Sequence, residues 1–125
     1  MLVGCGQQGS SLPTATSSTC GTGLCIDLAV AANADLLAVG GAMLIDSARD
    51  TIMVIRTSET AVIALSAICT HAGCSMDYTA ASHRIDCPCH ASVFNEQGQV
   101  LQGPARMPLK VYAATLANNV ITVVA

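Results

Sequence analysis

Short apolar runs, broken by glycine, asparagine and small polar residues, set the pattern of this chain. Cys25-Ile26-Asp27-Leu28-Ala29-Val30 alternates as a half-buried strand does, and Asn33-Ala34-Asp35 then turns the chain. Gly40-Gly41 interrupts it again before the run Ala42-Met43-Leu44-Ile45-Asp46. Thr51 to Arg56 and Ala61 to Ser66 are β-branched runs joined by Thr57-Ser58-Glu59-Thr60, which predicts a hairpin. Their continuous apolar character predicts strands buried on both faces. Asn95-Glu96-Gln97-Gly98 reads as a turn, and Gly103-Pro104-Ala105 with Pro108 as a stiff loop. Val111 to Ala117 and Val120 to Val124 form a closing hairpin around Asn118-Asn119, residues that tolerate the positive φ of a tight turn. No amphipathic helix or internal repeat emerges, so the fold class is mainly β.

The first 23 residues follow no period. Gly, Ser, Thr and Gln dominate, with Pro13 in the middle, which predicts a flexible linker over 1–23 and a folded domain over 24–125. Leu2-Val3-Gly4-Cys5 resembles the lipobox of bacterial lipoproteins, which would make Cys5 the lipidated residue of an exported protein; the alternative is an incidental cysteine in a polar terminus. Cys20 and Cys25 flank a loop short enough for a local disulfide, with two separate thiols as the alternative.

At 125 residues the chain has room for one core. Its net charge is −3 and nothing basic clusters, which argues against a nucleic-acid partner. No apolar run approaches the roughly eighteen residues that a membrane-spanning helix requires. Seven cysteines are many for this length. Four of them, with two of the three histidines, fall in two short segments: Cys69-Thr70-His71-Ala72-Gly73-Cys74 and Cys87-Pro88-Cys89-His90-Ala91-Ser92-Val93-Phe94. Thiolate and imidazole together suit zinc, iron–sulfur clusters and copper, and each segment can offer one sulfur and one nitrogen, or two sulfurs.

Taken in order, C-T-H-A-G-C and C-P-C-H-A-S resemble the two boxes of a Rieske 2Fe–2S protein. The resemblance implies an antiparallel β sandwich carrying a small cluster-binding subdomain, about residues 66–108, formed by the two Cys/His loops. It implies one 2Fe–2S cluster, with Cys69 and Cys87 on one iron and His71 and His90 on the other. It pairs Cys74 with Cys89 in the disulfide of the high-potential class, typified by the Rieske subunits of cytochrome bc-type complexes. Gly103 and Pro104 match the proline loop over the cluster. Ser92 matches a donor to a bridging sulfide, and Phe94 stands where that class often has a Tyr bonded to a ligand sulfur, so one hydrogen bond to the cluster should be missing.

Charge explains the histidines: two ferric ions, two sulfides and two thiolates sum to zero, and a neutral site accepts an electron more readily than an all-thiolate one. The resemblance therefore places the potential high in the Rieske range of about −150 to +300 mV. The implied function is one-electron transfer in an exported, periplasmic or extracytoplasmic, soluble or lipid-anchored protein that is not an enzyme by itself. Protein electron donors and acceptors, such as a c-type cytochrome, are the expected partners. Alternatives are the small subunit of a quinol- or arsenite-oxidising complex and, more remotely, a zinc-stabilised interaction module.

Overall fold

In the computed structural model, which describes residues 12–21, 23–48, 50–69, 75–89 and 91–124, the continuous apolar runs are strands covered on both faces. Strands β1 (Ser18–Cys20), β2 (Gly23–Asp27), β3 (Ala42–Asp46), β4 (Thr51–Arg56), β5 (Val62–Ser66), β10 (Val111–Ala117) and β11 (Val120–Val124) form a seven-stranded antiparallel sheet of order β1-β2-β11-β10-β5-β4-β3. Strands β6 (Asp77–Thr79), β7 (Arg84–Asp86), β8 (Val93–Phe94) and β9 (Val100–Gln102) form a four-stranded sheet in sequence order.

β10 bends the large sheet on itself. Its first residues, Val111 and Tyr112, pair with β5, whereas Ala113 to Ala117 pair with β11. The β2–β11 half thereby faces the β3–β4–β5 half, and the four-stranded sheet covers the far side of the latter. Side chains along a strand alternate between faces, so each central strand feeds two cores. Met43, Ile45, Ile52 and Val54 pack with Ile26, Ile121 and Val123. Leu44, Met53, Ile55 and Leu65 pack with Met76, Ile85, Phe94, Cys69 and Cys87. Each fully buried Ile, Leu or Met contributes about 1.5–3 kcal/mol relative to exposure, and no polar stripe is left on β3 or β4 to break the apolar run.

Two regions differ from the sequence pattern. The Asn33 turn is part of a 3-10 helix, Ala31–Leu37, seated by the buried Asn33 and Leu36. Asn33 accepts from Thr16 N–H (2.7 Å) and donates to the carbonyls of Thr16 and Asp27 (3.0 Å each). The flexible linker expected through residue 23 is corrected over its second half. Ala15 N–H donates to the Leu44 carbonyl (2.7 Å) and Leu44 N–H to the Pro13 carbonyl (2.8 Å), so this segment lines the outer edge of β3. β1 then pairs with β2 at the opposite end of the sheet. Backbone groups make these bonds, and a polar side-chain pattern does not reveal them. Cys5 lies outside the described residues.

Candidate metal centre

The two Cys/His segments are loops clamped at their bases. An antiparallel bridge between Ile68 and Ser75, reinforced by the Met76 N–H bond to the Ala67 carbonyl (2.7 Å), closes the first. The second leaves β7 at Asp86 and rejoins β8 at Val93, and Cys87 N–H donates to the Ser92 carbonyl across its base (2.9 Å). Each loop thus begins with a cysteine held against a fixed strand end. Cys69 and Cys87 are 2% and 4% exposed, share one core with Phe94, Met76 and Ile85, and stand outside any disulfide. The other proposed ligands, His71 and His90, lie outside the described residues, as does Cys74. Cys89 is disulfide-bonded, and a second disulfide joins Cys20 to Cys25, which resolves the alternatives left open for that pair.

A third loop meets the second through one side chain. Ser92 is fully buried, and its Oγ accepts from the Ala105 N–H (3.0 Å), just after the exposed Gly103 and Pro104. That bond uses the Ser92 oxygen as an acceptor, so the hydroxyl keeps a hydrogen to donate. A buried hydroxyl with a hydrogen to donate, in the loop that begins at the buried Cys87, suits a group that carries sulfide acceptors. The donor set therefore fits a 2Fe–2S cluster. Phe94 is fully buried in the same core and offers no polar atom.

Other polar groups stand around this end. Tyr78 on β6 donates to Glu96 Oε2, which also meets His83 Nδ1 at 3.0 Å, so one carboxylate ties the β6–β7 turn to the turn after β8. Burial, with the Glu96 bond and charge, pushes the Tyr78 phenol upward. His83 is exposed, as its turn position predicts, and adopts φ +55°. Asp50, which sequence reasoning passed over, accepts from Tyr112 OH (2.6 Å) and Ser66 Oγ (3.0 Å). Burial first, then this bond and the Asp50 charge, push the Tyr112 phenol up to about 12. No local signal marks Asp50: its partners lie 16 and 62 residues away.

The sequence profile of the Rieske 2Fe–2S domain matches residues 27–113. The chain belongs to that family. A Rieske domain carries one 2Fe–2S cluster and passes electrons through it, and the match leaves the zinc-module reading without support. The cytochrome b6-f complex iron-sulfur subunit of Chlorobaculum thiosulfatiphilum is 31% identical over 98 residues, which cover 73% of this chain and 54% of that one. The chloroplastic counterpart of Triticum aestivum is 36% identical over 75 residues, 59% of this chain and 34% of the relative. The chain thus spans between about a third and about half of these relatives' length. Among solved structures, the plasma membrane Rieske protein of Synechocystis PCC 6803 superposes with a TM-score of 0.66 at 33% identity, covering 74% of this chain and 93% of that one. The ferredoxin of carbazole 1,9a-dioxygenase from Nocardioides aromaticivorans IC177 gives 0.62 at 29% identity, over 71% and 88%. Both kinds of Rieske protein share the fold, so the fold alone does not separate the disulfide-containing class from ferredoxins. The Cys89 disulfide points to the former.

Proposed function

We propose that this domain is a one-electron carrier of the disulfide-containing Rieske class, working outside the cytosol. Two buried thiols, each at the start of a clamped loop, and the buried Ser92 hydroxyl at the end of the second loop carry the reading. Cys69 and Cys87 would bind one iron, and His71 and His90 the other. Cys74 would be the partner of Cys89, so that a covalent bridge holds the two loops together. The bound cluster supplies a reversible one-electron couple. The chain holds its ligands against fixed strand ends, donates a hydrogen bond from Ser92, and covers the site with the Gly103-Pro104 loop.

Leu101 and Met107, 52% and 67% exposed on and after β9, offer apolar contact to a protein electron donor or acceptor. The complex subunits among its relatives favour a place in a larger oxidoreductase, of which a quinol- or arsenite-oxidising assembly is one form and a c-type cytochrome one acceptor. The Cys20–Cys25 disulfide suits an exported protein, and Cys5 would supply a lipid anchor at the end of the N-terminal segment. No helix among the described residues is long and apolar enough to cross a membrane.

Anaerobic EPR with iron and sulfide analysis of Cys69→Ala, His71→Ala, Cys87→Ala and His90→Ala tests the ligand set. Each variant is expected to lose the rhombic signal of the reduced cluster. A normal signal in any one of them removes that residue from the site. Alkylation of Cys74 before reduction would exclude its bridge to Cys89.

A further inference from the structure

A chain of hydrogen bonds reaches the base of the first loop from Asp50, well outside it. Ser66, the last residue of β5, stands three positions before Cys69. Its hydroxyl donates to Asp50 Oδ1 (3.0 Å) and accepts from the Ile68 N–H (3.3 Å). Asp50 Oδ2 in turn accepts from Tyr112 OH (2.6 Å), and the Tyr112 ring lies under Lys110 Nζ, 4.9 Å from its centroid. Asp50 is itself locked: its N–H donates to Ser47 Oγ (3.0 Å), and its carbonyl accepts from both Ser47 Oγ (2.9 Å) and Ser47 N–H (2.8 Å). The neighbouring peptides are pinned by ordinary backbone bonds, Ser66 N–H to Lys110 O and Ala67 N–H to Thr51 O. The Ile68 N–H, the last backbone donor before Cys69, is the one whose partner is a side chain carrying a charge relay behind it.

We infer that Asp50 is a positioning residue for the cluster: through Ser66 it orients and polarises the Ala67–Ile68 peptide that leads into Cys69 and thereby tunes the reduction potential. An anionic acceptor strengthens the hydrogen bond that Ser66 donates to Asp50, which makes the Ser66 oxygen a better acceptor for the Ile68 amide. Electron density is pushed onto the Ala67–Ile68 peptide, whose carbonyl accepts from Met76 N–H at the base of the loop, and added negative character there disfavours the reduced, more negative cluster. Tyr112 works in the opposite sense, because its hydroxyl draws charge from the same carboxylate. The inference rests on Cys69 being a ligand, as proposed above.

The two partners of Asp50 give a signed test on the full-length, cluster-loaded protein, read by protein-film voltammetry. Asp50→Asn, which keeps the shape and removes the charge, is expected to raise the midpoint; Tyr112→Phe, which leaves the carboxylate less neutralised, is expected to lower it. A purely structural role would not move the two in opposite directions. The Asp50→Asn shift is further expected to shrink at least twofold in a Ser66→Ala background. An equal shift there means that the charge acts through space and overturns the relay, and so does an unmoved midpoint in Asp50→Asn. Amide exchange at Ile68, readable whether or not the cluster is retained, is expected to accelerate about tenfold in Asp50→Asn, as losing part of one hydrogen bond implies. Unchanged exchange also overturns the proposal. Failure of the ligand reading looks different, since Cys69→Ala would then keep its rhombic EPR signal.

Discussion

Phe94 places a full aromatic ring, and no hydroxyl, in the core that also holds Cys69 and Cys87. A phenolic donor to a ligand sulfur favours the reduced cluster, because the sulfur gains negative charge on reduction. Phe94→Tyr is therefore expected to raise the midpoint with ligation intact. A charge-assisted bond of about 1.5–3 kcal/mol caps the shift at about 65–130 mV for one electron, and partial stabilisation of the oxidised state brings it lower. Voltammetry with EPR reads both quantities, and an unchanged or lower midpoint would show that the new hydroxyl does not reach a ligand sulfur. In that case the buried O–H should instead cost about 1–3 kcal/mol of stability.

Among the elements, the 3-10 helix depends on a close approach to the sheet. A Cβ built on Gly41 would lie 1.8 Å from the Asp35 carbonyl oxygen, a contact that only backbone movement relieves. Arg56 fastens the same helix from β4: Nη1 donates to the Leu36 carbonyl (2.8 Å), while Nε and Nη2 donate to the carbonyls of Ser58 (2.8 Å) and Glu59 (2.6 Å). Gly41→Ala is expected to cost about 1–3 kcal/mol, as overpacking of a fitted site does, and to lower the urea midpoint. The cluster spectrum should survive, because Gly41 meets Asp35 and Ala38 and the Arg56 guanidinium holds the Leu36, Ser58 and Glu59 carbonyls. Loss of the spectrum together with unchanged stability would contradict this division.

On the scale of the whole molecule, the large sheet is closed by the segment that runs from the edge of β3 to β1, and the Cys20–Cys25 disulfide staples that end. For so short a loop the chain-entropy gain is about 2 kcal/mol. Cys20→Ser with Cys25→Ser is expected to speed amide exchange in β1 and β2 while leaving the EPR signal intact; slowed or unchanged exchange would show that the strand pairing holds without it. Tyr112 ties the β3–β4 loop to β10, and its phenol is pushed up to about 12 from an ordinary value of 10.0. Above pH 10 the unfolded chain loses that proton while the folded one keeps it, so stability is full below about 10 and falls as pH rises through about 12. Denaturant titrations from pH 9 to 12 are expected to show this decline, and Tyr112→Phe should flatten part of it.

The strands, the two cysteines that open the clamped loops and the Asn118-Asn119 turn are legible in the sequence because each is written in adjacent residues. Box spacing announces metal chemistry, and two-sided burial leaves unbroken apolar runs such as Ile52 to Ile55. Asn118 and Asn119 adopt φ +53° and +63°, the conformation that their residue type tolerates. What sequence reasoning missed is carried by contacts between distant residues or by the backbone. Ala15 and Ser18–Cys20 join the sheet through peptide groups that every residue possesses, so a Gly/Ser/Thr-rich stretch looks like linker until its partners are known. Asn33 looks like a turn residue until Thr16 and Asp27 close around its side chain. Asp50 is one acid among eight until folding sets Ser66 and Tyr112 on its two oxygens. Local spacing names the candidate ligands because box chemistry is written in adjacent residues, whereas only the tertiary structure decides which carboxylate meets Ser66 before Cys69.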